Sequence, residues 1–125
     1  MFKMILIVGS GGFAGSVVRY LGQVFINKYY PSSFPLGTFS INVLGCFLIG
    51  MIYAFSEKGN ILKPEILMFL ATGFCGGFTT FSTFSYDVLQ LFRDREILIA
   101  SAYISLSVFL GILAAYLGVV IVKAI

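Results

Sequence analysis

Hydrophobic positions in this chain gather into four long runs, at residues 4–26, 36–55, 66–92 and 97–122, with only short polar links between them. A hydrocarbon slab about 30 Å thick is crossed by about 20 residues of α-helix, so each run is long enough to span it. The links are turn-like. Residues 28–35 hold Pro31 and Pro35, residues 56–64 hold charges and Gly59, and Arg93-Asp94-Arg95-Glu96 is a tight charged turn. The pattern predicts an all-α membrane protein, a single four-helix transmembrane domain over residues 1–125 with no soluble domain. Lys3 ahead of an apolar stretch, with the small Ala14 and Ser16 beyond it, has the look of a signal peptide. The run continues to Ile26, however, which predicts a helix that is retained.

The third run carries its own interruption, in Thr72-Gly73-Phe74-Cys75-Gly76-Gly77-Phe78-Thr79-Thr80-Phe81-Ser82-Thr83-Phe84-Ser85. Glycine costs a helix interior about 1 kcal/mol relative to alanine, so the cluster of Gly73, Gly76 and Gly77 is expected to free backbone groups from the regular ladder and break the helix. Irregular backbone at membrane depth persists only where protein covers it or where it lines a polar cavity. Thr79, Thr80, Ser82, Thr83 and Ser85 place hydroxyls beside the break, which makes it a candidate site. A glycine kink that lets helices pack closely is the alternative.

Composition narrows the chemistry. The 125 residues are 59% apolar and only 10% charged, with a mean hydropathy of +1.03, which suits a bilayer. Histidine and tryptophan are absent, which removes most metal-site and acid–base chemistry and argues against an enzyme. Cys46 and Cys75 lie inside apolar runs without neighbouring ligand-type residues and read as small packing residues. The net charge of +3 is spread over the segment ends, with no basic cluster of the kind that binds nucleic acid.

The remaining runs each hold polar groups that need an account. In the first, Gly11 with Gly15 and Gly12 with Ser16 have the spacing that lets backbones approach. One turn further lies Arg19, a charge costing about 2.5–3.5 kcal/mol at a helix centre. It either snorkels to the interface, attracts anions or clamps backbone carbonyls. In the second, Thr38 and Asn42 share a face with Gly45 and Cys46. The Asn42 amide is either an interhelical link or a source of two N–H donors. In the fourth, Tyr103, Ser107, Gly111, Ala114 and Gly118 form a stripe that faces a pathway or a partner helix.

Orientation adds one more clue. Lys3, Lys58, Lys63 and Lys123 lie on one side; Lys28, Arg93 and Arg95 lie on the other, joined by Arg19 if it snorkels. Orientation follows an excess of such residues on the cytoplasmic side, so this near tie predicts insertion both ways. Four short helices are too few to enclose a pathway and cover every polar face. An antiparallel dual-topology homodimer, with the interrupted third helices crossing at a two-fold axis, is the expected assembly.

On these residues the chain resembles the Fluc, or CrcB, family of bacterial fluoride channels. The resemblance runs through Gly15 and Arg19-Tyr20, Gly37-Thr38 to Asn42 and Gly45, the Gly76-to-Ser85 segment, and Tyr103 with Ser107. It implies a multi-pass protein of the bacterial inner membrane that passively exports fluoride from the cytoplasm through two pores of an antiparallel dimer. It also implies one structural sodium ion, held by the backbone carbonyls of Gly76 and Thr79 from each subunit. Hard main-chain oxygens without an acidic side chain fit such an ion. The pore would be lined by Phe81 and Phe84, the family's phenylalanine box, with Asn42, Thr38, Ser82, Thr83, Ser85 and Ser107. Tyr103 would position Phe84 or the track around it, and Arg19 would be a vestibule charge or a fold anchor.

The resemblance also suits the anion. Ring edges are electropositive, and fluoride is small and strongly hydrated, so each lost water needs a close donor. Asp87 departs from an anion path, and stands either at the pore's exit or as a charge at the water interface. Two rival classes remain: a small four-helix multidrug carrier, which would need a titratable carboxylate at membrane depth, and a structural membrane subunit, which would leave the hydroxyl-rich break unexplained.

Overall fold

In this computed structural model the described residues are 1–59 and 61–125; Asn60, in the link between the second and third spans, lies outside them. Four stretches among the described residues are helical, long and apolar enough to cross a membrane. They are α1 (Phe2–Tyr29), α2 (Leu36–Glu57), a composite third span, and α6 (Ile97–Ala124). The third span starts as α3 (Pro64–Leu67), with proline at its first turn where no N–H is needed. It widens into a π-helical stretch (Met68–Cys75) and returns to one α-turn, α4 (Gly76–Phe78). After an extended interval it resumes as α5 (Phe81–Arg93).

The interruption falls at Thr79 (φ −84°, ψ 157°) and Thr80 (φ −150°, ψ 116°), both extended. The glycines expected to cause it remain helical. Two of them, Gly73 and Gly77, serve close packing: α1 lies along the π-helical stretch, a Cβ on Gly77 would collide with the Gly12 carbonyl, and on the facing α1 one on Gly15 would collide with that of Phe74. The small-residue face of α1 thus has its partner in the third span, where hydrocarbon gives helices no hydrophobic reason to associate and backbone approach supplies the contact.

α2 packs along α6 through a second seam of the same kind. Gly50 meets the Ala115 carbonyl and Gly118 meets that of Phe47, while Gly111 and Ala114 are buried. The small residues of the α6 stripe therefore face a partner helix. Its polar end does otherwise: Tyr103 is fully buried among Phe34, Phe39, Phe84, Val88 and Leu91. Phe34 meets the Tyr103 ring edge-on, with centroids 5.3 Å apart.

The ends are closed by local chemistry. The Arg93–Glu96 turn puts Arg95 in the left-handed region (φ 61°), and Glu96 N–H donates to Leu91 O at 2.9 Å, terminating α5. At the opposite end Lys58 Nζ donates to Val122 O (3.1 Å) at the C-terminus of α6, where a cation is favoured. Lys3 pairs there with Glu65 at 3.2 Å.

Candidate functional site

A helix that breaks leaves carbonyls and N–H groups without ladder partners, and in a bilayer each must be satisfied by protein. The chain does this for several of them around Thr79–Thr80. Asn42, one helix away on α2, holds the extended Thr80 peptide on both sides: Thr80 N–H donates to Asn42 Oδ1 (2.8 Å), and Asn42 Nδ2 donates to Thr80 O (3.0 Å). One N–H of the Asn42 amide remains for another acceptor. Thr79 turns both its N–H (2.9 Å) and its hydroxyl (2.8 Å) onto Cys75 O. Thr80 Oγ1 then accepts from Thr83 N–H (3.2 Å) and caps α5, while its hydroxyl proton reaches Thr83 Oγ1 (3.1 Å).

Arg19 belongs to the same repair. Its Nε donates to Gly77 O at 2.9 Å, and Ser16 Oγ donates to the same oxygen at 3.5 Å. An intact helix would have satisfied that carbonyl with the N–H of Phe81. The cost of placing a guanidinium within the span is offset by a charge-assisted bond to a carbonyl the break had freed. Of the sequence alternatives for Arg19, the carbonyl clamp is the one the geometry shows. Among the described residues no donor reaches the carbonyls of Gly76, Phe78 and Thr79. Gly76 is exposed, with open space where a Cβ would stand.

The break opens onto a groove of about 440 Å³ walled by α2, the third span and α6. Asn42, Gly76, Thr79, Thr80, Phe81, Phe84 and Ser107 line it, with Cys46 and Cys75 beside them as free thiols. Phe81 and Phe84 have ring centroids 5.7 Å apart, tilted by 34°. Phe84 is half-buried; Phe81 is 79% exposed on the single chain. The Ser107 hydroxyl is buried without a hydrogen-bond partner. Such a group is uncommon, since leaving a polar atom unpaired costs about 1–3 kcal/mol.

The other candidates sit outside the groove. Ser82, Thr83 and Ser85 follow the break on α5: Ser82 is exposed, 3.4 Å from the Thr80 hydroxyl, and Ser85 donates to Phe81 O (3.0 Å). Thr38 is buried and accepts from Gln23 Nε2 at 3.3 Å. Tyr103 stands behind Phe84, ring centroids 5.0 Å apart, and its hydroxyl donates to Asp87 Oδ2 at 3.0 Å. Asp87 is half-buried and engaged with a buried phenol, not a free charge in water. Neither the Asn42–Thr80 clamp nor the Tyr103–Asp87 pair is visible as a motif. Each joins residues far apart in sequence, and no periodicity links them.

Among the described residues no cluster of three or more His, Cys, Asp or Glu exists that would hold a metal through side chains. The site offers amide and hydroxyl donors, aromatic rings and unpaired main-chain carbonyls. It can replace the hydration of a small anion, or hold a hard cation on carbonyl oxygens.

Residues 6–119 match the family model described as CrcB-like protein, Camphor Resistance (CrcB). The chain is 50% identical over 121 residues to the fluoride-specific ion channel FluC of Flavobacterium psychrophilum, covering 97% of this chain and 98% of that one. It is 45% identical over 122 residues to the protein of that name from Prosthecochloris aestuarii (98% and 94% covered). Against the one from Chlorobaculum tepidum it is 45% identical over 123 residues (98% and 97%).

Proposed function

The chain belongs to the CrcB-like family, and we propose that it is a fluoride-selective channel whose path runs beside the Thr79–Thr80 break. It is a multi-pass membrane protein and a channel, not an enzyme. The observation that carries the reading is the groove itself. At one place it gathers a spare Asn42 N–H, an unpartnered Ser107 hydroxyl, and the rings of Phe81 and Phe84. All of these present positive hydrogens, and no basic side chain lines the groove. Such donors favour an ion of concentrated charge without binding it so tightly that it stays. A path narrow enough for direct contact also disfavours a larger halide. The hydroxyls of Ser82, Thr83 and Ser85 continue along α5 as a track, Thr38 stands in the wall beyond, and Tyr103 holds Phe84 from behind.

Two copies in opposite orientations complete the site in this reading. Support comes from what one chain leaves uncovered: Gly76 and Ser82 are exposed at the break, where lipid cannot satisfy their polar groups. The free carbonyls of Gly76 and Thr79 fit a structural sodium ion shared between the two breaks, four oxygens in all, which would neutralise otherwise unpaired acceptors. Arg19, bonded to the neighbouring Gly77 carbonyl, anchors this region. In the bacterial inner membrane a passive path of this kind exports fluoride: the conjugate acid crosses lipid, dissociates inside, and the anion leaves down its electrochemical gradient.

Purified protein in liposomes tests the reading. Fluoride should leave rapidly on dissipating the membrane potential while chloride stays trapped. Equal flux of the two ions refutes the selectivity, and no flux of either refutes the path.

A further inference from the structure

An unbroken line of aromatic rings runs from the link between α1 and α2 into the groove. Phe39 and Phe34 meet edge-on with centroids 5.2 Å apart, and Phe34 meets Tyr103 in the same way at 5.3 Å, each pair with 80° between the ring planes. Tyr103 rests on Phe84 at 5.0 Å and 51°, and Phe84 on Phe81 at 5.7 Å. Of these rings, Phe84 and Phe81 line the groove. At the other end the link is built to hold its ring in place. Phe34 N–H donates to Ser32 Oγ (3.1 Å), Phe34 O accepts from Leu36 N–H (2.7 Å), and Pro35 follows with its restricted φ. Water at the end of a span would satisfy both backbone groups. Here local bonds fix them instead, and the half-buried side chain lies on Tyr103.

What Phe34 controls is a rotation. The Tyr103 hydroxyl donates to Asp87 Oδ2 (3.0 Å), which fixes the far end of that side chain. The phenolic oxygen lies on the axis about which the ring turns, so this bond leaves the ring plane loosely set, and the torsion itself has only broad minima. Aromatic pairs favour edge-to-face contact, and Phe34, edge-on to Tyr103, selects one plane. That plane is the surface against which Phe84 lies. The tilt of Phe84 decides whether its electropositive edge or its negative face meets an anion in the groove.

We propose that Phe34 is a positioning residue for conduction, setting the tilt of the Phe84 ring through the plane of Tyr103. The inference rests on the fluoride-channel reading and extends the functional set to a link residue that does not line the groove.

The test uses the full-length protein in liposomes, with fluoride efflux read beside the fluorine NMR line of a para-fluorophenylalanine incorporated in place of Phe84. Phe34→Leu keeps an apolar side chain and removes the ring; Phe34→Tyr restores a ring. Phe34→Leu should slow efflux about two- to tenfold, the range one aromatic pair supports, and should shift or broaden the fluorine line. Phe34→Tyr should recover most of the efflux and return the line towards its wild-type position. Undiminished efflux in Phe34→Leu, slowed efflux with an unmoved fluorine line, or a Phe34→Tyr variant as slow as Phe34→Leu each overturns the proposal. A merely structural role for Phe34 gives the second of these results. If Phe34→Leu does not assemble, Phe34→Met takes its place with the same outcomes, and failure of both to assemble makes Phe34 a fold element and overturns the proposal. A wild-type chain that conducts no fluoride refutes the channel reading and this inference together. A conducting wild type with any of the overturning results refutes only the inference.

Discussion

Replacing Asn42 by alanine removes both bonds that keep Thr80 extended, and the structure gives the size of the loss. Thr80 N–H and C=O, at 2.8 and 3.0 Å from the Asn42 amide, would both lose their partners. Each unpaired backbone group costs about 1–3 kcal/mol when buried. Asn42 and Thr80 are only half-buried, so the low end applies. The pair together is worth about 2 kcal/mol, or about 30-fold in the balance between the extended break and its unlatched forms. Asn42→Ala should therefore raise amide exchange at Thr80 about 30-fold. It should lower fluoride efflux by more than tenfold, because the spare N–H facing the groove goes with the latch. Asn42→Asp separates the two roles. It keeps an oxygen for Thr80 N–H but loses the donor and puts a carboxylate in the groove, so exchange should change less than in Asn42→Ala while efflux falls at least as far. Hydrogen exchange on peptides spanning 79–83, measured beside liposome efflux, reads both. Unchanged protection in Asn42→Ala would refute the latch, and wild-type efflux in Asn42→Asp would refute the placement of the anion path.

Phe81→Ile and Phe84→Ile should each reduce fluoride efflux at least tenfold while the dimer still elutes intact; undiminished efflux would mean the rings are packing alone. Gly15→Leu should abolish assembly or cut thermal stability by several degrees, since its Cβ falls on the Phe74 carbonyl and overpacking costs about 1–3 kcal/mol. A melting curve in detergent matching wild type would show that α1 and the third span are not held at that distance. C-terminal tags should appear on both faces of the membrane in protease-accessibility assays, and a one-sided result would exclude an antiparallel dimer.

The span count was legible because hydrocarbon imposes a length on every crossing helix and the polar links interrupt the apolar runs cleanly. That the third span is broken was legible too, but not where. Gly73, Gly76 and Gly77 pointed to a break through their cost to a helix, yet all three are helical. The missing Cβ atoms of Gly73 and Gly77 serve the approach of α1, Gly76 meets nothing there, and the interruption lies at Thr79–Thr80. Propensity pointed to the residues least able to hold a helix, whereas the break sits where tertiary partners exist to catch the freed groups. Asn42 takes both sides of the Thr80 peptide, and Arg19 and Ser16 take Gly77 O. Each of these partners comes from another helix, so its position depends on helix register, which no single run encodes. The same holds for Arg19, whose three sequence alternatives differ only in what lies one helix away, and for Asp87, which reads as an interfacial charge until Tyr103 is found against it. In a bilayer the cost of an unpaired carbonyl exceeds the helix preference of any single residue. A break there is located by its donors before its glycines, and a polar residue at membrane depth on a neighbouring helix is the better sequence marker for it.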